Sequence, residues 1–444
     1  MINHFFTVFD IGSALFILLL IVVHSFWMRH QHPLETHYRY FLPSVYFKLF
    51  FALGFSLFYI IYYNAGGDTI AYWDGATRLT DLFYESPADY FSELFTAGGA
   101  SSITDHFTKN IGYPPIWIYN EPESWLVCKL LSVFMIIGFK GYLAITFFLA
   151  YLAHLAAWKL FELVLSYNIH RERLLAIAVL FIPSVSFWCS GISKDTMLYI
   201  ALMLFITYFF RKLKGGSNRN YIGIVLYGLL LLGIRPVMFM AAAAPVLFAL
   251  IANILRKQVE SPEMRIIPQI MAIVSVMFVS LFILTNGSII DSAALNNMIT
   301  EAAIVQQDFT NNTTYGENRY FLEITDYTVL GMTKVLPAAV IAGIYRPFLW
   351  ESLTPSLILN GIESMFLLWF TIRFFLRKKL KERLHFIRKH ELLVYLFFVM
   401  IFIAFFSGFT SVIFGVLVRI RSFALPFLLI ILFADSSAEQ GDRK

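Results

Sequence analysis

Six short stretches of the 444-residue chain hold the side chains able to do chemistry. "YNAGGDTIAYWDGA" sets Asp68, Tyr72 and Asp74 directly after an apolar run, and "PSVSFWCSGISKDT" places Lys194 beside Asp195. "LLGIRPVMF" carries Arg235, "YRPFLWESLTP" carries Arg346 and Glu351, and "GVLVRIRSF" carries Arg419 and Arg421. Asn360 and Glu363 lie about one turn into the apolar run that follows Glu351. Arginine and lysine grip phosphate or diphosphate oxygens, arginine through a planar fork of donors. A carboxylate beside them can take the proton of a hydroxyl nucleophile. Asp68 is the first candidate for that base and Glu351 the second. Lys194, Arg235, Arg346, Arg419 and Arg421 are the candidate diphosphate ligands, with Tyr72, Asp74, Asp195 and Glu363 in support. Group transfer from a polyprenyl-diphosphate sugar donor needs this combination.

The composition says what must position these groups. Apolar residues make up 59% of the chain and charged residues 14%, and the mean hydropathy is +0.70. A soluble domain has about 25% charged residues, so a chain this apolar needs lipid as part of its solvent. The fold class expected is all-α, a polytopic bundle of transmembrane helices. The net charge of +5 is spread over short loops, which suits topology control and gives no reason to expect nucleic acid. Cys128 and Cys189 read as small apolar fillers. "MINHFFTVFD" has no basic n-region, so the first apolar run is expected to remain as a span.

A span takes about 20 mostly apolar residues. Candidates run near 9–27, 43–63, 142–165, 174–189, 196–210, 221–234, 237–254, 267–285, 357–376, 391–407 and 413–434. Runs near 126–139 and 331–349 are shorter and read as half-spans or interfacial helices. The basic loops "RHQHPLETHYR", "HRER", "RKLKGGSNR", "RKQVESPEMR" and "RFFLRKKLKERLHFIRK" then all fall on one side, as the positive-inside rule requires. The expectation is about eleven crossings, N-terminus out and C-terminus in. Two outer loops follow from it. Residues 64–125 carry nine acidic residues and two basic ones, Arg78 and Lys109, with amphipathic stretches suited to helices on the membrane surface. Residues 286–330 form the second. The catalytic candidates gather at the outer level, where each intramembrane charge costs about 2.5–3.5 kcal/mol on insertion scales. Several at one level imply a shared polar cavity.

Plainer roles compete for the same residues. A single arginine near a helix end snorkels to headgroups, which applies to Arg419 and Arg421. Lys194 and Asp195 could be a satisfied turn pair, Glu351 could lie among headgroups, and Asp68 could cap the helix after the Gly66–Gly67 turn. Trp73, Trp188 and Trp350 suit an interface belt. The histidines lack metal-ligand spacing, His106 being the lone one in the outer loops, so no metal and no cofactor is expected.

In order, Gly67-Asp68 with Tyr72, the Pro183 to Asp195 stretch, Ile234-Arg235-Pro236 and the Tyr345 to Glu351 stretch resemble polytopic proteins of bacterial surface-polysaccharide clusters, namely O-antigen or exopolysaccharide polymerases and GT-C-type membrane glycosyltransferases. The resemblance runs over most of the chain in short motifs. It implies a glycosyltransferase of the bacterial inner membrane that assembles glycan at the periplasmic face. The partners it implies are polyprenyl-diphosphate-linked glycan, membrane lipid and other polysaccharide assembly proteins. The rival readings are a transporter or flippase for a lipid-linked or anionic solute, and a non-catalytic envelope assembly subunit.

Overall fold

The computed structural model describes residues 7–258, 304, 307–308, 319–320, 322 and 329–434, without 65, 97, 100–102, 138–139, 170, 353 and 377–379. The expected span 267–285 and most of the second outer loop, 286–330, lie outside the described residues. Within them the chain is all-helical. The one extended contact is an isolated antiparallel bridge between Arg319 and Ile413.

The first half runs α1 (Val8–Gln31), α2 (Phe41–Leu57), α3 (Asp68–Glu85), α4 (Pro87–Leu94), α5 (Ile103–His106), α6 (Ile116–Tyr119), α7 (Pro122–Ile137) and α8 (Tyr142–Leu165). The second runs α9 (Glu172–Leu180), α10 (Pro183–Trp188), α11 (Lys194–Leu213), α12 (Arg219–Ile234), α13 (Pro236–Gln258), α14 (Val329–Tyr345), α15 (Pro355–Leu376), α16 (Leu380–Lys389), α17 (Glu391–Thr410), α18 (Phe414–Arg421) and α19 (Leu425–Leu432). Among the described residues, six helices are long and apolar enough to cross a membrane: Val8–Gln31, Thr36–Tyr62, Tyr142–Leu165, Lys194–Leu213, Leu357–Leu376 and Glu391–Thr410. That is the build of a multi-pass membrane protein. The expected run 142–165 is one helix with those same ends.

Two expected spans are not straight helices. The run 174–189 breaks at Phe181–Ile182, where Pro183 removes a donor and starts a new helix. The run 413–434 divides into α18 and α19, bent by 56°. Pro426 starts the second piece, for the same reason. The runs near 221–234 and 237–254 appear as the shorter apolar helices Arg219–Ile234 and Pro236–Ile251.

The chain divides into two compact units. One comprises Met1–Glu162, Val185–Tyr208 and Arg219–Val237; the other comprises Leu163–Ser184, Phe209–Asn218 and Met238–Lys444. In the first, the amphipathic stretch expected on the membrane surface includes α3, which packs apolar side chains on α7. Tyr72, Ala76 and Leu79 are buried there, and Gly75 lets the Cys128 thiol approach to where a Cβ would be 2.9 Å away. The stretch 64–125 therefore has a core of its own. Glu93 lies at its centre with no exposed surface, accepting from Trp125 Nε1 at 2.8 Å, Thr96 Oγ1 at 2.7 Å and His106 Nδ1 at 2.7 Å.

In the second unit the central contact is α14 on α17. Cβ atoms added at Gly343 and Gly408 would come within 1.9 Å of the Ala404 and Ala339 carbonyl oxygens. The two backbones touch, the small-residue packing that lets membrane helices associate where apolar burial gives no drive.

Candidate functional site

In the first unit the turn "AGGD" works through Gly67, whose φ of +85° is open to glycine and strained for other residues. Tyr59 closes over this turn: a Cβ on Gly67 would meet its ring at 3.0 Å. Asp68 is the first residue of α3 and Gly67 is its N-cap, with no side-chain cap bond. The capping role weighed for Asp68 is therefore absent; its carboxylate sits in the first turn, where the helix dipole favours an anion.

One turn on, Tyr72 is buried, and its hydroxyl lies 3.4 Å from Ser124 Oγ. Burial pushes the Tyr72 phenol above its usual range; the Ser124 hydrogen bond pulls it back, and the charges of Asp68 and Asp195 push it further up. Both aspartates thus bear on one hydroxyl. Ser124 Oγ donates to Glu121 Oε2 at 2.6 Å, and Lys194 Nζ donates to the same oxygen at 3.3 Å. Tyr72 and Lys194, far apart in sequence, are linked through Ser124 and Glu121, and the charges of Asp68 and Asp195 reach the same Tyr72 hydroxyl. Neither Glu121 nor Ser124 was singled out in the sequence. "YNEPESW" reads as ordinary loop, and only the fold brings Glu121 to Lys194.

The element carrying Lys194 and Asp195 is held from below. Ser193 Oγ accepts from Thr196 N at 3.1 Å, fixing the start of α11. Phe55 of α2 stacks against Phe187 and Trp188 at ring separations of 5.6 and 6.5 Å. Gly191 lies so close to Phe55 that a Cβ would be 1.8 Å from the ring. Lys48 of α2, itself buried, donates to the Val185 carbonyl at 3.3 Å. A ridge of α2 thus carries the broken segment that ends in Lys194.

Arg235 follows α12, which packs on α7. A Cβ on Gly233 would meet Leu126 at 2.8 Å, so Arg235 stands near the end of α7 that carries Glu121 and Ser124. Its Nη1 is buried and has no hydrogen-bond partner among the described residues. An arginine nitrogen removed from water without an acceptor is unfavourable, and an anionic ligand would satisfy it. Asp74 turns aside to Arg78 at 3.2 Å.

The second unit holds a separate pair of contacts. Arg346 Nε lies 3.5 Å from Glu351 Oε1, and its Cζ lies 4.8 Å above the Tyr320 ring. Glu351 Oε2 also accepts from Phe348 N at 2.9 Å. The second candidate base is thus already doubly held. Burial pushes the Tyr320 phenol up, the Arg346 charge opposes this, and the Glu351 charge adds to it. Arg421 is fully buried and closes the end of α14. Its Nη1 donates to the Arg346 carbonyl at 2.8 Å and to Ser364 Oγ at 2.6 Å. Glu363 stands 3.7 Å from its Nη2 and accepts from Ser184 N at 3.0 Å and Ser184 Oγ at 2.5 Å. Arg419, two residues earlier on α18, points about 200° round the helix from Arg421. One helix therefore does not aim both at a single anion.

No family model, curated protein or solved structure matches the chain.

Proposed function

We propose that this protein is a membrane glycosyltransferase or polysaccharide polymerase acting on polyprenyl-diphosphate-linked saccharide at the outer leaflet of the bacterial inner membrane. The observation that carries the reading is the first-unit cluster. A phenol under the charge of two carboxylates is linked through Ser124 and Glu121 to a lysine, and an arginine nearby has a buried nitrogen without an acceptor among the described residues. In this reading Arg235 and Lys194 hold the donor diphosphate. Asp68 takes the proton of the acceptor hydroxyl as that oxygen attacks the anomeric carbon, and the bond from that carbon to the diphosphate oxygen breaks. The charge gained by the leaving diphosphate stays on the two cations, so no metal is required of the step.

The same reading has about eleven crossings, N-terminus out. The six long helices are joined by the broken run 174–189, α12, α13, the α18–α19 pair and the apolar run 267–285 outside the described residues. Both native cysteines are buried, so single-cysteine reporters can be added to the natural chain. A cysteine at Ala88, exposed in the outer loop, should react in whole cells with an impermeant maleimide, and one at Arg388 should react only after lysis. Labelling of Arg388 in intact cells would reverse the orientation and remove the periplasmic reading.

The functional test uses purified protein in vesicles with a polyprenyl-diphosphate-linked repeat unit. Wild type should extend it. Arg235→Ala should abolish extension and Arg235→Lys should restore little, because a lysine keeps the charge and loses the fork. Full extension by an Arg235→Ala protein would leave the arginine as a headgroup anchor.

One feature favours a flippase: helices broken at 181–182 and bent at 422–424, as transporters build them near their sites. Translocation of the lipid-linked saccharide without extension in the same vesicles would select that reading.

A further inference from the structure

At the end of the second unit opposite Glu351, α15 meets the short helix α16, "LKERLHFIRK". One face of α16 turns inward. Phe386 is buried there, 4.5 Å ring to ring from His390, and Arg383 lays its guanidinium 5.7 Å from the Phe374 ring of α15. Arg383 Nη1 is buried and has no hydrogen-bond partner among the described residues. The other face is exposed and carries Lys381, Arg388 and Lys389 with His385; Glu382 is its one acid, and Leu384 is an exposed apolar residue among the cations.

The surface beside this helix is apolar and unpaired. Phe375 and Leu376, at the foot of α15, are 55% and 80% exposed, and Trp369 two turns higher is 49% exposed. Arg373 rests over that Trp369 ring at 5.2 Å. An exposed strip of Phe, Leu and Trp on a helix long and apolar enough to cross a membrane is a lipid-facing strip. The unfilled Arg383 donor therefore sits where acyl chains end and headgroups begin.

We infer that the α15–α16 corner docks an anionic phospholipid, its phosphate accepting from Arg383 Nη1, its acyl chains along Trp369 and Phe375, and its negative charge met by Lys381, Arg388 and Lys389. A buried donor is satisfied by an acceptor brought from outside, and a phosphate diester fits the guanidinium fork. The surplus of cations selects an anionic headgroup over a zwitterionic one, whose own ammonium they repel. Glu382 and Glu391 are the acids nearest in sequence, and neither removes that surplus. This site stands apart from the candidate active cluster and does not rest on the glycan reading.

The test is a lipid titration of the purified full-length chain in a neutral detergent, followed by thermal unfolding. Phosphatidylglycerol should raise the apparent melting temperature, phosphatidylcholine should leave it unchanged, and Arg383→Gln should weaken the phosphatidylglycerol response at least tenfold. Arg383→Lys, which keeps the charge, should unfold normally in phosphatidylcholine yet lose most of that response; it decides the matter if the glutamine variant does not accumulate. An equal response to phosphatidylcholine would overturn the inference, as would a response to inorganic phosphate alone at the same concentration. So would an unchanged phosphatidylglycerol response in the Arg383 variants.

Discussion

Asp68→Asn is expected to insert and fold like the natural chain while its rate of glycan extension falls about 10²–10⁴-fold, the usual loss when a general base is removed. The structure makes this substitution cleaner than the sequence suggested. Asp68 does not cap α3, because Gly67 occupies that position without a side-chain cap bond. Removing the charge forfeits its interaction with the helix dipole, about 0.3–1 kcal/mol. Asparagine keeps the shape beside Tyr72 and cannot take a proton. Asp74→Asn is the matched control: its partner is Arg78 one turn along the same helix at 3.2 Å, and such a pair contributes about 0.3–0.5 kcal/mol. That variant should remain active. The product ladder from lipid-linked repeat unit is the readout. A normal ladder from Asp68→Asn would pass the base role to Glu121, which already accepts from Ser124 and Lys194. Glu351 would be a weaker successor, because Arg346 and the Phe348 amide hold both its oxygens.

Gly408→Ala should be the most damaging single-methyl change in the second unit. The added carbon would lie 1.9 Å from the Ala339 oxygen and 2.8 Å from the Gly343 nitrogen, all backbone atoms that no rotamer change can move aside. An overpacked core loses about 1–3 kcal/mol when side chains can adjust; here two helices must separate, and the loss should exceed that range. The effect should reach the Arg346 corner. Tyr320 donates its hydroxyl to the Gly408 carbonyl, and the same ring lies under Arg346. Thermal unfolding of the purified variant, against Gly415→Ala, provides the measurement. A Cβ at Gly415 meets nothing within 4 Å, so that control should melt near wild type. Equal melting of Gly408→Ala and wild type would show that α14 and α17 do not touch as described.

The long apolar helices were readable because their signal is additive: some 20 apolar residues in a row have few alternatives, and 142–165 came out with its ends in place. Breaks within apolar runs were less readable. Pro183 and Pro426 are both visible in the sequence. A proline inside an apolar run kinks, breaks or leaves a helix intact according to what its neighbours offer the freed carbonyls. The partner of α3 was not readable for a related reason. Its apolar stripe shows that it packs on something, and periodicity alone does not say whether that is lipid or α7.

The sequence by itself determined the solvent, the helical class and which polar residues sit at helix ends, because composition and local order set these. It also showed the Gly-Gly-Asp turn, since positive φ demands glycine. Only the tertiary structure decided who meets whom. Tyr72 and Lys194 are linked through Ser124 and Glu121, two residues with no local mark, and the charges of Asp68 and Asp195 reach the same hydroxyl. Arg346 and Glu351 hold each other, and Arg421 is buried under the end of α14. A hydrogen bond or an ion pair is a relation of distance and direction between residues as many as 179 positions apart, and no local pattern encodes it. The final arrangement rests on close backbone and ring approaches at Gly75, Gly191, Gly343 and Gly408, where the feature that matters is a missing side chain.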